Sequence, residues 1–445
     1  MIISPARRSA FEILRRVEIE DAFASVLLAS LDERMRASDR ALCYELVMGV
    51  LRRRMWLDRT IEHFARRPVT KLDLAVRLAL EMALYQLRFL TRIPPSAAVN
   101  ESVNLVRAAG VKSAASFVNA VLRRATREPD FDPTNLIDDR FEKLAIQTSH
   151  PRWLIERWAA AFGFEEAQNF VHANNQTPPL SFRLTTRAIA TNDSRDEVFN
   201  AIENGGGTIN PSEIVADAWR VRGATSATRR LVSDGLIYFQ DEASQLVAQV
   251  LGANANERVL DIAAAPGSKA ALIAMLAPGA TVIAGDLYEH RVATMRRLAA
   301  AQGAKLHLLV HDATRALPFP PTSFDRVLLD APCSATGTLR RNPEIRYRLK
   351  PEDIVELSAK QLAMLSSAAD LVRPSGRLVY STCSVEIEEN ENVIHQFLTH
   401  NKNFARINMD APDGLTTARG DVRTWPHRQG TDGFFIAALE RKPSL

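Results

Sequence analysis

The sequence predicts a multidomain fold: an all-α N-terminal domain, a small α+β subdomain and a C-terminal α/β domain on a mostly parallel sheet. Three observations predict it. Apolar residues recur at three-and-four spacing from residue 5 to about 127, with no competing alternation. From about 241 onward, short apolar runs alternate with helical patterns, as in a doubly wound sheet. At 445 residues the chain is also too long for a single core.

In chain order, "ARRSAFEILRRV" and "RLALEMALYQLRFL" are amphipathic helices. "TRIPPSAAVNESVNLVRAAG" predicts a Pro-Pro break, a cap at Ser96 and a helix ending at Gly110. The Pro- and Asp-rich "REPDFDPTN" closes a first domain, 1–130. The second, 140–240, opens with the helix "SHPRWLIERWAAAFG" and continues with the strand "PLSFRLT". The helix "DSRDEVFNAIENGGG" and the strand "GLIYFQ" complete it. In the third, 241–445, the strands are "RVLDIA", "ATVIAGD", "KLHLLVHD", "FDRVLLD" and "GRLVYSTCS", with a final antiparallel strand in "GFFIAALERK".

Composition narrows the class. Hydrophobic residues at 46% and charged residues at 24% are those of a soluble globular protein. No apolar run approaches the roughly 18 residues of a membrane span, and the opening segment lacks the apolar core of a signal peptide. Three cysteines, few and odd in number, argue against a disulfide framework and for a cytoplasmic address. The net charge of +4 hides an asymmetry: residues 1–128 hold 22 Lys+Arg against 14 Asp+Glu, a net +8, and the remainder carries −4. Twenty of those 22 bases are arginine, whose planar fork suits phosphate recognition.

"VLDIAAAPGSKAA" is a strand, a tight turn and a helix start. It matches neither the dinucleotide fingerprint nor the P-loop, because Ser268 separates Gly267 from Lys269. What remains is a turn whose backbone N–H groups, at a helix N-terminus, suit a carboxylate. Asp286 ends the next strand, 25 residues after Asp261, where a carboxylate can accept both ribose hydroxyls. Asp312 ends the third strand, within reach of an adenine amino group, and Asp330 ends the fourth. One strand-end Asp is usually a cap. Acids after successive strands without a phosphate loop fit S-adenosylmethionine, which has a carboxylate, a ribose and an adenine but no phosphate.

Two of the three cysteines stand at such strand ends, Cys333 in "DAPCSATG" and Cys383 in "YSTCSVEIEENE". Either alone would read as a small buried hydrophobe, as Cys43 in its helix does. Together, at adjacent strand ends beside a cofactor loop, they read as chemistry.

At these residues the chain resembles the Sun/Fmu-type RNA (cytosine-5) methyltransferases, and "GTDGFFIAAL" matches as well. Upstream, "RRSAFEILRRV", "ELVMGVLRRRMWLD" and "NAVLRR" resemble the NusB-like RNA-binding domain of the bacterial branch. The resemblance covers nearly the whole chain. It implies a NusB-like domain at 1–130, a Rossmann-like methyltransferase domain at 241–445 and cytosine C5 of 16S ribosomal RNA as substrate. It assigns the cofactor to Ala263, Ala264, Ala265, Pro266, Gly267, Ser268 and Lys269 together with Asp286, Asp312 and Asp330. Cys383 becomes the nucleophile, and Cys333 assists release. The chain departs from the family in the first loop, with Ala263 for Cys, Ser268 for Gly and Ala270 for Thr, which bears on cofactor affinity more than on chemistry.

Cytosine C5 is too weak a nucleophile to take a methyl group unaided, and a thiolate added at C6 makes it enamine-like. Asp330 is expected to bond the N3/N4 edge of the base, with Lys269 orienting Asp330 or the base. For RNA phosphates the candidates are Arg52, Arg53 and Arg54 in the N-terminal domain, and Arg340, Arg341, Arg346 and Arg348 past Cys333. His290, His307 and His311 form no metal-ligand pattern with the cysteines, so no metal is expected. A monomer is expected as well. The competing readings are the same chemistry on tRNA or DNA, or a non-catalytic NusB-like RNA-binding factor.

Overall fold

The computed structural model describes residues 3–31, 34–190, 194–409 and 411–443. The chain forms two compact units. The first comprises residues up to Gln176 together with Leu339–Arg348; the second comprises Thr177–Thr338 and the chain from Leu349 onward.

The first unit is helical. Helices Pro5–Ile19, Ala37–Ala65, Leu74–Phe89, Pro95–Ala108 and Ala115–Arg127 surround a core that includes Leu14, Leu46, Leu57, Phe64, Leu84 and Val118. Their ends follow local chemistry. Pro5 occupies a first-turn position, where its missing N–H costs nothing. The Asp73 side chain caps Leu74–Phe89 by accepting from the Ala75 N–H at 2.8 Å. Ser96 is not a cap. The helix begins at Pro95, Pro94 holds the cap position, and Ser96 lies within the first turn. Helices Arg140–Thr148, Arg152–Phe162 and Phe164–Ala173, expected with the α+β subdomain, group with this unit. Among the described residues no helix is long and apolar enough to cross a membrane.

The second unit carries two sheets. The smaller consists of β1 (Leu180–Leu184), β2 (Thr208–Pro211), β3 (Ala218–Arg222) and β4 (Ile237–Phe239) in the antiparallel order β2-β3-β1-β4. Phe182, Trp219, Leu184 and Ile237 point to one face and are buried there with residues of helices Ser194–Asn204 and Thr225–Ser233. β2 and β3 were not expected: β2 is largely exposed and ends in Pro211, while the arginines at alternate positions of β3 mimic a solvated segment.

The larger sheet holds β5 (Arg258–Asp261), β6 (Thr281–Asp286), β7 (His307–Val310), β8 (Phe324–Asp330), β9 (Val372–Thr382), β10 (Phe404–Arg406), β11 (Val422–Arg423) and β12 (Phe435–Arg441). Their order is β10-β12-β9-β8-β5-β6-β7, with β11 paired to β12. β7-β6-β5-β8-β9 are parallel and β12 is antiparallel to β9, as the alternation predicts. Apolar residues on both faces of the central strands are buried, Leu260 and Val259 on opposite sides of β5 among them. The parallel strands place Asp261, Asp286 and Asp330 along one carboxyl edge of the sheet, the edge where open α/β sheets bind ligands.

Candidate active site

β8 and β9 run parallel with Asp330 opposite Ser381. Three residues past Asp330 and two past Ser381, the loops carry Cys333 and Cys383 to the same place, and their sulfurs lie 3.4 Å apart. The Cys333 thiol is held well above its ordinary range, first by its hydrogen bond to Cys383 and then by burial. Cys43 belongs to the helical core, its thiol pushed up to about 11 by burial.

Asp330 is held from both sides. Lys269 Nζ donates to Oδ2 at 2.6 Å and Ser381 Oγ donates to Oδ1 at 2.7 Å. Burial opposes the Lys269 charge, but the Asp330 carboxylate outweighs it, and the ammonium ends above its ordinary value. The structure thus brings Lys269 onto Asp330, the partner named for it in one of its two expected roles. Phe434, in the matched "GFF" ending, lies with its ring 5.4 Å from the ammonium.

A cavity of about 570 Å³ opens beside the cysteines, lined by Ala263, Ala265, Asp286, Asp312, Asp330, Cys333 and Cys383. Asp286 is almost wholly buried; it accepts weakly from the Tyr288 N–H at 3.3 Å and faces Arg291 at 3.4 Å. Asp312 accepts from the Thr314 hydroxyl and N–H through one oxygen, bonds that hold its carboxyl below the ordinary range. Ala264, Pro266, Gly267, Ser268 and Lys269 stand behind this wall rather than in it. They form the turn, with a cis Ala265–Pro266 bond and Gly267 at φ +98°. A side chain on Gly267 would also strike Met295, 2.5 Å from where its Cβ would sit. Ser268 has no such constraint: it begins helix Ser268–Leu276, so the departure from Gly brings no backbone strain.

Sequence reasoning passed over several residues here. Asp261, at the end of β5, is fully buried, and neither carboxylate oxygen has a hydrogen-bond partner. Burial, with Asp330 adding repulsion, pushes its carboxyl up to about 8. His311 lines the cavity with both ring nitrogens unbonded and packs so closely that a Cβ on Gly285 would fall 2.0 Å from its ring. Arg183 reaches from the small sheet to the carbonyl of Ser268 at 3.1 Å and to Gln302 at 2.7 Å, anchoring the first loop. Ser334 and Ser384, each following a cysteine, share the buried carboxylate of Glu389. The repeated Cys-Ser pair was the available signal.

The chain's residues fit S-adenosylmethionine. The first turn of helix Ser268–Leu276 offers N–H groups that no carbonyl four residues back can take, for a carboxylate. Asp286 can accept ribose hydroxyls, and the unsatisfied Asp261 carboxyl favours a nearby cation. Among the described residues no cluster of three or more His, Cys, Asp or Glu is placed to hold a metal.

Three of the arginines expected at RNA phosphates are turned inward. Arg52 is buried and donates to the Arg340 carbonyl at 2.7 Å; Arg340 itself is 3% exposed. Arg346 is fully buried and donates to Asn175 Oδ1 at 2.9 Å and to the carbonyls of Thr148, Ser149, Asn174 and Leu339. Arg348 donates to the carbonyls of Val17, Asp21 and Ala22. Arg54 pairs with Glu18 at 2.6 Å, Arg53 is half-buried and bonds the Gln147 carbonyl, and Arg341 is half-buried. The reason is common to Arg346 and Arg348: the segment Leu339–Arg348 belongs to the helical unit, and their guanidinium groups satisfy backbone carbonyls there.

Comparison with known proteins agrees with this geometry. The family described as 16S rRNA methyltransferase RsmB/F matches residues 248–440, the NusB family matches 4–127, and the Methyltr_RsmF/B-like ferredoxin-like domain matches 150–228. The "Probable ribosomal RNA small subunit methyltransferase B" of Bacillus subtilis (strain 168) is 36% identical over 448 residues, covering 98% of each chain. The "Ribosomal RNA small subunit methyltransferase B" of Salmonella newport (strain SL254) is 32% identical over 440 residues, again covering 98% of each. The crystal structure of PH0851 superposes with a TM-score of 0.84 at 29% identity, covering 99% of this chain and 100% of that one. With relatives at this identity along nearly its whole length, the chain belongs to the RsmB/F family of 16S rRNA methyltransferases.

Proposed function

We propose that this S-adenosylmethionine-dependent 16S rRNA methyltransferase modifies cytosine C5, in the cytoplasm, through a covalent bond between Cys383 and C6 of the base. The observation that carries the reading is the pair of sulfurs 3.4 Å apart beside an acid-lined cavity. Two thiols in contact at the wall of one cavity suit two different steps, addition and release. Bound S-adenosylmethionine supplies an electrophilic methyl group on its sulfonium.

The Cys383 thiolate adds to C6, and Asp330, fixed by Lys269 and Ser381, is aimed at the N3/N4 edge where charge develops. Addition makes C5 nucleophilic toward the methyl group. With Cys383 bonded to C6 the hydrogen bond that holds the Cys333 proton is gone; Cys333 releases that proton to solvent and as thiolate takes the C5 proton, the C5–H electron pair re-forms the C5–C6 double bond, and Cys383 leaves C6 as a thiolate. The target base has to be unstacked to enter the cavity. RNA phosphates fall to bases that the helical unit leaves exposed, Arg66, Arg67, Lys71, Arg123 and Arg127. Arg124, adjacent to Arg123, bonds the Phe64 carbonyl at 2.8 Å, two residues before Arg66, which brings the ends of the two helices together.

The test separates the two cysteines. Both alanine variants should lose turnover. Cys383→Ala should form no covalent RNA adduct, whereas Cys333→Ala should attack, methylate once and carry RNA through a denaturing gel. RNA trapped on Cys383→Ala instead would reverse the assignment, and activity kept in both would make the cysteines structural.

A further inference from the structure

We propose that Glu389 is a positioning residue that pins the two cysteine loops to one another, so that the attacking and the releasing sulfur stay in register. The inference rests on the cysteine roles proposed above.

The geometry is unusually concentrated. Ser334, immediately after Cys333, donates its hydroxyl to Glu389 Oε2 and its N–H to Oε1 at 2.8 Å. Ser384, immediately after Cys383, donates its hydroxyl to the same Oε2 at 2.5 Å. Gln361 Nε2 donates to Oε1 at 2.9 Å and to the carbonyl of Pro332, the residue before Cys333, at 2.9 Å. One carboxylate therefore takes four donors from three separate segments, two of which are the cysteine loops.

The residue is wholly buried and no cation is among its donors. Burial raises its carboxyl's affinity for a proton, and the serine hydroxyls pull the other way. A buried acid without a counter-charge is a costly choice for packing alone. What a carboxylate offers here is capacity: it accepts from several donors at once and, when ionised, has no N–H of its own to place, which no amide can match. Further bonds close the loops around it. Val385 N–H donates to Thr336 Oγ1 at 3.1 Å and Gly337 N–H to the Cys383 carbonyl at 2.9 Å. Addition at C6 and proton removal at C5 each tolerate little displacement of a sulfur, since misplacement by about 1 Å can cost on the order of a hundredfold in rate.

Each serine holds one loop, so the two hydroxyls should be separable by the step they affect. Three single variants of the full-length protein test this: Ser384→Ala, Ser334→Ala and Glu389→Gln, the last replacing one acceptor oxygen with a donor that faces the serines. In the Cys333→Ala background, Ser384→Ala should slow adduct formation roughly tenfold or more. Ser334→Ala alone should form adduct at the wild-type rate but release it slowly, so that RNA accumulates on the protein. Glu389→Gln should show both defects. Calorimetry with S-adenosylhomocysteine should find affinity within about twofold of wild type in all three, a readout that general unfolding would move.

The clamp is overturned if both serine variants turn over like wild type, if they slow the same step equally, or if all three lose the ligand together. Failure of the cysteine assignment looks different. It would appear as an exchanged trapping pattern in the two cysteine variants, whatever the serines do.

Discussion

Asp261→Asn should make the ligand-free protein progressively more stable relative to wild type as pH rises from 5 to 8. The wild-type carboxyl is fully buried with both oxygens unpartnered, and its proton is held to about pH 8 rather than to the ordinary 3.8. Between those values the unfolded chain has lost this proton while the folded chain keeps it. Stability therefore falls as pH rises through the window and levels off above the folded value. The slope is about 1.4 kcal/mol per pH unit, so from pH 5 to pH 8 this one group removes roughly 4 kcal/mol. Asparagine has nearly the same shape and no proton to lose, so the variant lacks the slope. Other buried acids, such as Glu81 in the helical unit, titrate equally in both proteins and cancel in the difference. For a unit of this size about 1 kcal/mol shifts the melting temperature by roughly 2–4 °C. Scanning calorimetry at pH 5 and pH 8.5 should thus show the variant's advantage growing by roughly 10 °C. An advantage that is the same at both pH values would refute the reasoning and mean that Asp261 ionises freely in the folded protein.

Asp286→Ala should weaken S-adenosylhomocysteine binding by about 1.5–3 kcal/mol, as expected for losing hydrogen bonds to a charged acceptor; unchanged affinity by calorimetry would remove Asp286 from the cofactor site. Arg346→Met leaves the carbonyls of Thr148, Ser149, Asn174 and Leu339 short of a donor and should destabilise the helical unit by roughly 3 kcal/mol or more. Its RNA affinity should nevertheless keep the wild-type salt dependence, because the guanidinium never reaches phosphate. Replacing both Arg66 and Arg67 by alanine should instead lower the slope of log affinity against log salt by about 1.4 to 1.8; an unchanged slope would clear that surface of RNA contact.

How much of this was written in the chain depends on the range of the interactions. The parallel sheet was legible because β5, β6 and β8 are buried on both faces and read as continuous apolar runs. The meeting of Cys333 and Cys383 followed from adjacent parallel strands once both residues stood at strand ends. Asp261 was legible as a strand-end acid but received no role, because its distinguishing property is the absence of any partner, which only three dimensions reveal. The arginines past Cys333 misled for a related reason. A run such as "LRRNPEIRYR" has the composition of a phosphate-binding surface, and nothing local says that its guanidinium groups meet carbonyls nearly 200 to more than 300 residues away in sequence. β3 was lost to the same ambiguity, since Arg220 pairs with buried Glu242 rather than with water.

The excursion of Leu339–Arg348 has a consequence for how such a protein can be divided or inherited. The chain leaves the second unit after Thr338, eight residues past Asp330 and five past Cys333, and rejoins it at Leu349. A cut near residue 176 would therefore not yield two autonomous pieces, because the larger would carry a ten-residue stretch lacking the groups that satisfy it. Tyr347 would lose the Leu51 and Ser149 carbonyls, and Glu344 the Ala24 N–H. The module at the N-terminus is consequently a bound-in part of the enzyme rather than an interchangeable adaptor. A lineage could not discard it, or exchange it for another module, without also rewriting the strip of sequence directly downstream of Cys333.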